Sequence, residues 1–134
     1  MNKILIVEDD LDVVEVLSFA IEKCGYEPVL SKTLNHALQL SSQYYLEAVL
    51  LDASLPDGNG IDFIPRFRNL SSIPEVVIIT GQGAPNKAER AFDQGAFDFI
   101  QKPVSISHIA LTIMQIKEYR TAMYNRSSPR DLSN

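Results

Sequence analysis

Four apolar runs of the chain each end on side chains able to do chemistry: Glu8, Asp9 and Asp10 follow Lys3 to Val7, Asp52 follows Glu47 to Leu51, Thr80 follows Glu75 to Ile79, and Lys102 follows Phe97 to Gln101. If one fold gathers these points, several carboxylates face one another, and repulsion raises at least one of their pKa values unless a cation sits between them. Oxygen ligands of this kind suit a hard ion such as magnesium, Mg2+, which keeps some of its waters. In surroundings neutralised in that way an aspartate can attack phosphorus and form an acyl phosphate. Asp52 is the residue chosen for that attack. Thr80 and Lys102 then supply a hydroxyl donor and a point charge for the phosphoryl oxygens.

The elements that must position these groups alternate from the first residues onward. Lys3 to Val7 reads as an apolar strand, and Leu11 to Cys24 as a helix with Val14, Leu17, Ile21 and Cys24 on one face, stopped by Gly25. A short strand over Glu27 to Leu30 and a helix from Thr33 to about Gln43 follow, the latter with Leu34, Ala37, Leu38 and Ser41 on one side; Glu47 to Leu51 is a third strand. A loop of turn formers from Asp52 to Gly60 precedes a third helix ending near Asn69. Pro65 means that this helix either starts late, with the proline in its first turn, or is kinked. Glu75 to Ile79 is a fourth strand, Pro85 to Gln94 a fourth helix closed by Gly95, and Phe97 to Gln101 a fifth strand. Ser105 or Ser107 caps a last helix in which Ile106, Ile109, Ile113 and Ile116 recur at helical spacing. Strand-then-helix repeats of this kind make an α/β domain with a mostly parallel sheet covered on both faces. Ligand sites in such sheets lie beyond the carboxyl ends of the strands, at the switch in strand order, and that is where the reactive side chains fall.

Bulk properties narrow the classes. The 134 residues suit one domain, and 46% hydrophobic with 22% charged residues is an ordinary globular balance. The apolar runs, such as Ala48 to Leu51 and Val76 to Ile79, are too short to cross a bilayer, and Met1-Asn2-Lys3 leads into a strand rather than a signal peptide, so no membrane association and a cytoplasmic location are expected. The single cysteine, Cys24, cannot form an internal disulfide, and with only His36 and His108 beside it there is no zinc-type cluster. A net charge of -5 and a pI near 4.9 disfavour direct contact with nucleic acid by this domain.

The order Ile4-Leu5-Ile6-Val7-Glu8-Asp9, then Leu51-Asp52 with Leu55-Pro56-Asp57 and Gly60, then Ile79-Thr80-Gly81, then Gly95-Ala96-Phe97-Asp98-Phe99-Ile100-Gln101-Lys102-Pro103 resembles the receiver domain of bacterial response regulators. The likeness covers about residues 1–120 and leaves 121–134 as the end of the last helix and a polar tail or linker. It implies a flavodoxin-like, doubly wound sheet of five parallel strands in the order 2-1-3-4-5. It also implies a two-component switch that takes a phosphoryl group from a histidine kinase, not an enzyme with a turned-over substrate. Carried over residue by residue, Glu8 and Asp9 hold Mg2+, with Asp9 preferred as the direct ligand. Asp52 is both ligand and phosphoacceptor, and the backbone carbonyl of Ser54 completes the metal set. Thr80 moves to meet the phosphoryl group, Phe99 follows it, and Lys102 is the basic partner, joined to Pro103 by a cis peptide. The resemblance also implies dimerisation or partner binding through the face of the fourth helix, fifth strand and fifth helix. The Gly95 to Phe99 segment and the long last helix are similar to receivers that precede an ATPase and DNA-binding domain in NtrC-type transcription regulators, with a stand-alone receiver or a hybrid-kinase receiver as the other arrangements. The positions of Ser54 and Gln82 influence phosphoryl lifetime in the family.

Plainer roles stand beside these. Asp10 is placed to cap the first helix, Thr80 and Ser54 to satisfy loop backbone, Phe99 to fill the core, Lys102 to sit in solvent, and His36 and His108 to lie at the surface. A phosphatase or phosphotransferase also uses a strand-end aspartate but usually carries a second aspartate two residues on, where this chain has Ser54. A receiver-like module that docks a protein without taking phosphate is the other alternative.

Overall fold

The computed structural model describes residues 2–81 and 86–127. Strand β1 (Lys3–Val7) leads to helix α1 (Leu11–Lys23), β2 (Glu27–Ser31) to α2 (Leu34–Gln43), and β3 (Leu46–Asp52) to α3 (Gly60–Arg68). They are followed by β4 (Glu75–Thr80), α4 (Lys87–Asp93), β5 (Asp98–Gln101) and α5 (Ile106–Ser127). The five strands form one parallel sheet in the order β2-β1-β3-β4-β5, the flavodoxin-like order expected. Between β3 and α3 the chain also makes a small antiparallel ribbon, Ser54–Leu55 against Gly58–Asn59, where the sequence suggested only a loop.

Period-two alternation divides the apolar strand residues between two layers. Ile4, Ile6, Ala48, Leu50, Val77, Ile79 and Ile100 pack on α1 and α5 through Leu17, Ile21, Ile109, Ile113 and Ile116. Leu5, Val7, Val49, Leu51, Val76 and Ile78 pack on α2, α3 and α4 through Leu34, Ala37, Ile61, Ile64, Phe67 and Ala91. Burying each such aliphatic chain contributes about 1.5–3 kcal/mol, so this double layer holds the sheet rigid under its carboxyl edge. Among the described residues no helix is long and apolar enough to cross a membrane.

Several local expectations change. Pro65 lies inside α3, which starts at Gly60 with Asn59 Oδ1 accepting the Ile61 N–H, so the late start is excluded. Asp52 and Thr80 are the last residues of β3 and β4 instead of the first beyond them. Ser105, not Ser107, caps α5, its Oγ accepting the His108 N–H at 3.1 Å; Ile106, at the helix start, is exposed while Ile109, Ile113 and Ile116 are buried. Cys24, at the end of α1, is half-buried and packs against the α1–α5 layer, in keeping with its spacing from Leu17 and Ile21. Asn86 precedes the first turn of α4, and the expected opening at Pro85, like Gln82 and the polar tail from 128 onward, lies outside the described residues.

Candidate functional site

Sheet register brings the reactive residues to one edge. Val7 pairs with Leu51 across β1 and β3, so Glu8 and Asp52, each one residue further on, are neighbours where the strand order reverses. Asp52 pairs with Ile79, so Thr80 lies one step beyond on β4; Thr80 pairs with Gln101, and the Lys102 N–H donates to the Thr80 carbonyl at 2.7 Å. Asp10 turns away from this edge: its Oδ1 accepts the Asp12 N–H at 2.9 Å and caps α1.

Lys102 Nζ lies 2.9 Å from Glu8 Oε1 and 3.5 Å from Asp52 Oδ2. Glu8 and Asp52 are buried, Asp9 is exposed, and ligand atoms of all three come within 4.8 Å of one another. Glu8 Oε2 accepts the N–H groups of Asp9 and Asp10, and Asp52 Oδ1 accepts the Ser54 N–H at 3.1 Å. Glu8 Oε1 is buried against the ammonium of Lys102, its only close countercharge among the described residues. Burial pushes the Glu8 carboxyl above its ordinary value, the Lys102 ammonium draws it back, and the Asp52 carboxylate pushes it up again. For Lys102 burial acts downward, but Glu8 and Asp52 outweigh it and the ammonium is held above its usual range. Three converging carboxylates against one ammonium form a hard-oxygen cluster able to hold a metal ion.

Thr80 is buried at the end of β4. Ile78 stands opposite Phe99 in register, so Thr80, two residues on from Ile78, shares the face on which half-buried Phe99 packs against the α2–α4 layer. The Lys102–Pro103 peptide is cis. His36 and His108 are exposed on α2 and α5. Gly60 explains the close fit under β3: its N–H donates to the Ala53 carbonyl at 2.8 Å, and a Cβ there would collide with the main-chain oxygen of Asp52. The sequence did not disclose the partners of Asp57, whose carboxylate accepts the Leu34 and Asn35 N–H groups at 2.9 and 3.0 Å. The only signal was a carboxylate in a Pro-Asp-Gly turn, which is equally at home in solvent.

Residues 4–114 match the response regulator receiver domain family. Over 118 residues the chain is 32% identical to the phosphate regulon transcriptional regulatory protein PhoB of Escherichia coli K12, an alignment covering 86% of this chain and 51% of that protein. It is 30% identical over 108 residues to response regulator protein PilR of Pseudomonas aeruginosa, covering 81% of this chain and 24% of PilR. The chain thus spans about half the length of the first relative and about a quarter of the second. Among solved structures, the beryllofluoride-activated NtrC4 receiver domain dimer superposes with a TM-score of 0.82 at 34% identity, covering 89% of this chain and 98% of that one. NtrX from Brucella abortus superposes with a TM-score of 0.85 at 25% identity, covering 96% of this chain and 30% of that one.

Proposed function

The chain belongs to the response regulator receiver domain family, and from that membership we propose that it is a phosphorylation-operated switch whose Asp52 accepts the phosphoryl group of a cognate histidine kinase. The observation that carries this reading is the convergence of Asp52 with Glu8, Asp9 and Lys102 at the switch point of the sheet. An Asp52 carboxylate oxygen attacks phosphorus; the new P–O bond forms as the bond from phosphorus to the donor's imidazole nitrogen breaks, and that nitrogen is reprotonated from water. Glu8, Asp9, Asp52 and the Ser54 carbonyl are the residues that would hold Mg2+. When bound, the ion supplies positive charge that offsets the carboxylates and the phosphoryl oxygens. Lys102, shared between Glu8 and Asp52, has the charge and position to bind a phosphoryl oxygen, and the Thr80 hydroxyl to donate to another.

Output follows from the shared face of Thr80 and Phe99. Phosphorylation adds about -1.5 to -2 charge and strong acceptor oxygens, by analogy with the hydroxyl phosphoesters. Thr80 moves toward them, Phe99 turns into the space behind it, and the surface of α4, β5 and α5 shifts between two packings. α4 and α5 expose Phe92, Leu111 and Met114, apolar groups suited to a homodimer or a partner surface. Because the relatives are longer, a C-terminal output domain reached through α5 is part of this proposal, with transcription control as its kind of output and the cytoplasm as its place of action. Nucleic acid would be met by that domain and not by this acidic one. Ser54 stands where a phosphatase or phosphotransferase would carry its general acid, which favours a switch over an enzyme.

Phosphoramidate labelling in Mg2+, followed by borohydride reduction and peptide mass mapping, tests the assignment. The expected result is homoserine at position 52 only, lost when EDTA is present. Reduction products at Asp9 or Asp57, or labelling indifferent to EDTA, would contradict it.

A further inference from the structure

An α-helix begins with four N–H groups that have no intrahelical acceptor. At the start of α2 every one is taken: Thr33 N–H by Ser31 Oγ at 3.3 Å, His36 N–H by Thr33 Oγ1 at 3.2 Å, and those of Leu34 and Asn35 by the two oxygens of Asp57. Two of the caps are local, while Asp57 reaches in from the turn of the ribbon that follows β3. The amides of Leu34 and Asn35 hold the Asp57 carboxyl below the usual aspartate range, so it is a charged clamp at neutral pH. Gly58 beside it has φ of 153°, and a Cβ there would press on Leu34 Cδ1 at 3.2 Å, so the ribbon tip also lies hard against α2.

The other end of the ribbon leads into the site. Ala53 N–H donates to the Ile79 carbonyl at 3.0 Å, Gly60 N–H to the Ala53 carbonyl at 2.8 Å, and Ser54 N–H to Asp52 Oδ1 at 3.1 Å. Ser54 is therefore the first ribbon residue beyond the sheet, and it touches the carboxylate it follows. Two residues per strand are too few to be stable alone, since even full hairpins are marginal in water. Something outside the ribbon must hold its far end.

We propose that Asp57 is a positioning residue for Asp52. By fastening the ribbon to the first turn of α2 it fixes Ser54, whose N–H orients Asp52 Oδ1 and whose carbonyl belongs to the proposed metal set. The inference rests on the reading of Asp52 and its Mg2+ ligands given above. It goes beyond that reading by making the start of α2 part of the support of the site.

The test compares wild type, Asp57→Ala, Asp57→Asn and Thr33→Ala by calorimetric titration with Mg2+ and by exchange of the Ser54 amide in metal-free protein. Thr33→Ala removes a local cap from the same helical turn without touching the ribbon. Supporting groups behind metal ligands typically change affinity by about 10–100-fold, so Asp57→Ala should weaken Mg2+ binding by about tenfold and speed Ser54 exchange. Asp57→Asn, which keeps one acceptor oxygen, should fall between, and Thr33→Ala should leave both readouts near wild type. Wild-type affinity and exchange in Asp57→Ala, or equal losses in Thr33→Ala, would overturn the proposal and leave Asp57 as a helix cap. A wild-type protein that binds no Mg2+ would overturn the reading of the metal site, and the exchange comparison, made without metal, would still decide whether Asp57 holds Ser54.

Discussion

Glu8 and Asp52 are buried side by side and share the single ammonium of Lys102. A pair of neighbouring carboxylates with one ammonium is electrostatically strained until a further cation arrives. Replacing Asp52 by asparagine removes one of the repelling charges while keeping an oxygen for the Ser54 N–H. In EDTA, Asp52→Asn should therefore be more stable than wild type by on the order of 1 kcal/mol in urea denaturation; equal or lower stability would mean that the pocket is not strained. The identities of the strand-end residues were legible because each closes an apolar run, and parallel register then sets them side by side. What could not be read was how Lys102 divides itself, closer to Glu8 at 2.9 Å than to Asp52 at 3.5 Å. That depends on side-chain rotamers, which no periodicity reports.

Elements were read nearly to their ends where an apolar face was clear, as in α1 with its cap Asp10, and in α2, where Thr33, read as the first helical residue, is the cap. α3 was harder, because a helix with Pro65 inside it contradicts local propensity and is held by the burial of Ile61, Ile64 and Phe67. The ribbon was missed because two residues per strand leave no alternation to detect. α2 carries a pH consequence. The amides of Leu34 and Asn35 depress the Asp57 pKa in the folded protein, so its contribution to stability is fully present above about pH 4, the unfolded aspartate value, and is lost as pH falls through the lower folded value. The stability gap between wild type and Asp57→Asn should thus be constant near pH 6 and shrink toward pH 3, measured as the difference in urea midpoints. A gap independent of pH would remove the charged clamp from the account.

For the molecule as a whole, α5 ties the sheet together along its length, from its apolar core face to the starts of β3 and β4. Its 22 residues span about 33 Å, well past the ends of the strands it covers. The buried stripe of Ile109, Ile113 and Ile116 continues at helical spacing to Arg120, which reaches Glu47 at 3.0 Å, Glu75 at 3.3 Å, the Ile73 carbonyl at 2.9 Å and the Tyr45 hydroxyl at 3.1 Å. A charged residue on the core side of a helix was a signal available in the sequence; its partners, at the starts of β3 and β4, were not. Arg120→Ala leaves Glu47 without its ion-pair partner and Glu75 with Arg68 alone, and should cost about 2–3 kcal/mol, below the 3–5 typical of a fully buried pair, without altering chemistry at the opposite edge of the sheet. A chemical denaturation curve together with the labelling rate checks both halves of that statement. Whether Asp52 carries a phosphoryl group is decided by intact mass of wild type and Asp52→Asn after incubation with Mg2+ and phosphoramidate or the cognate kinase. The expected result is a gain of one phosphoryl group in wild type and none in Asp52→Asn; an equal gain in both, or none in a wild type that binds Mg2+ and meets its kinase, would exclude Asp52 as the phosphoacceptor.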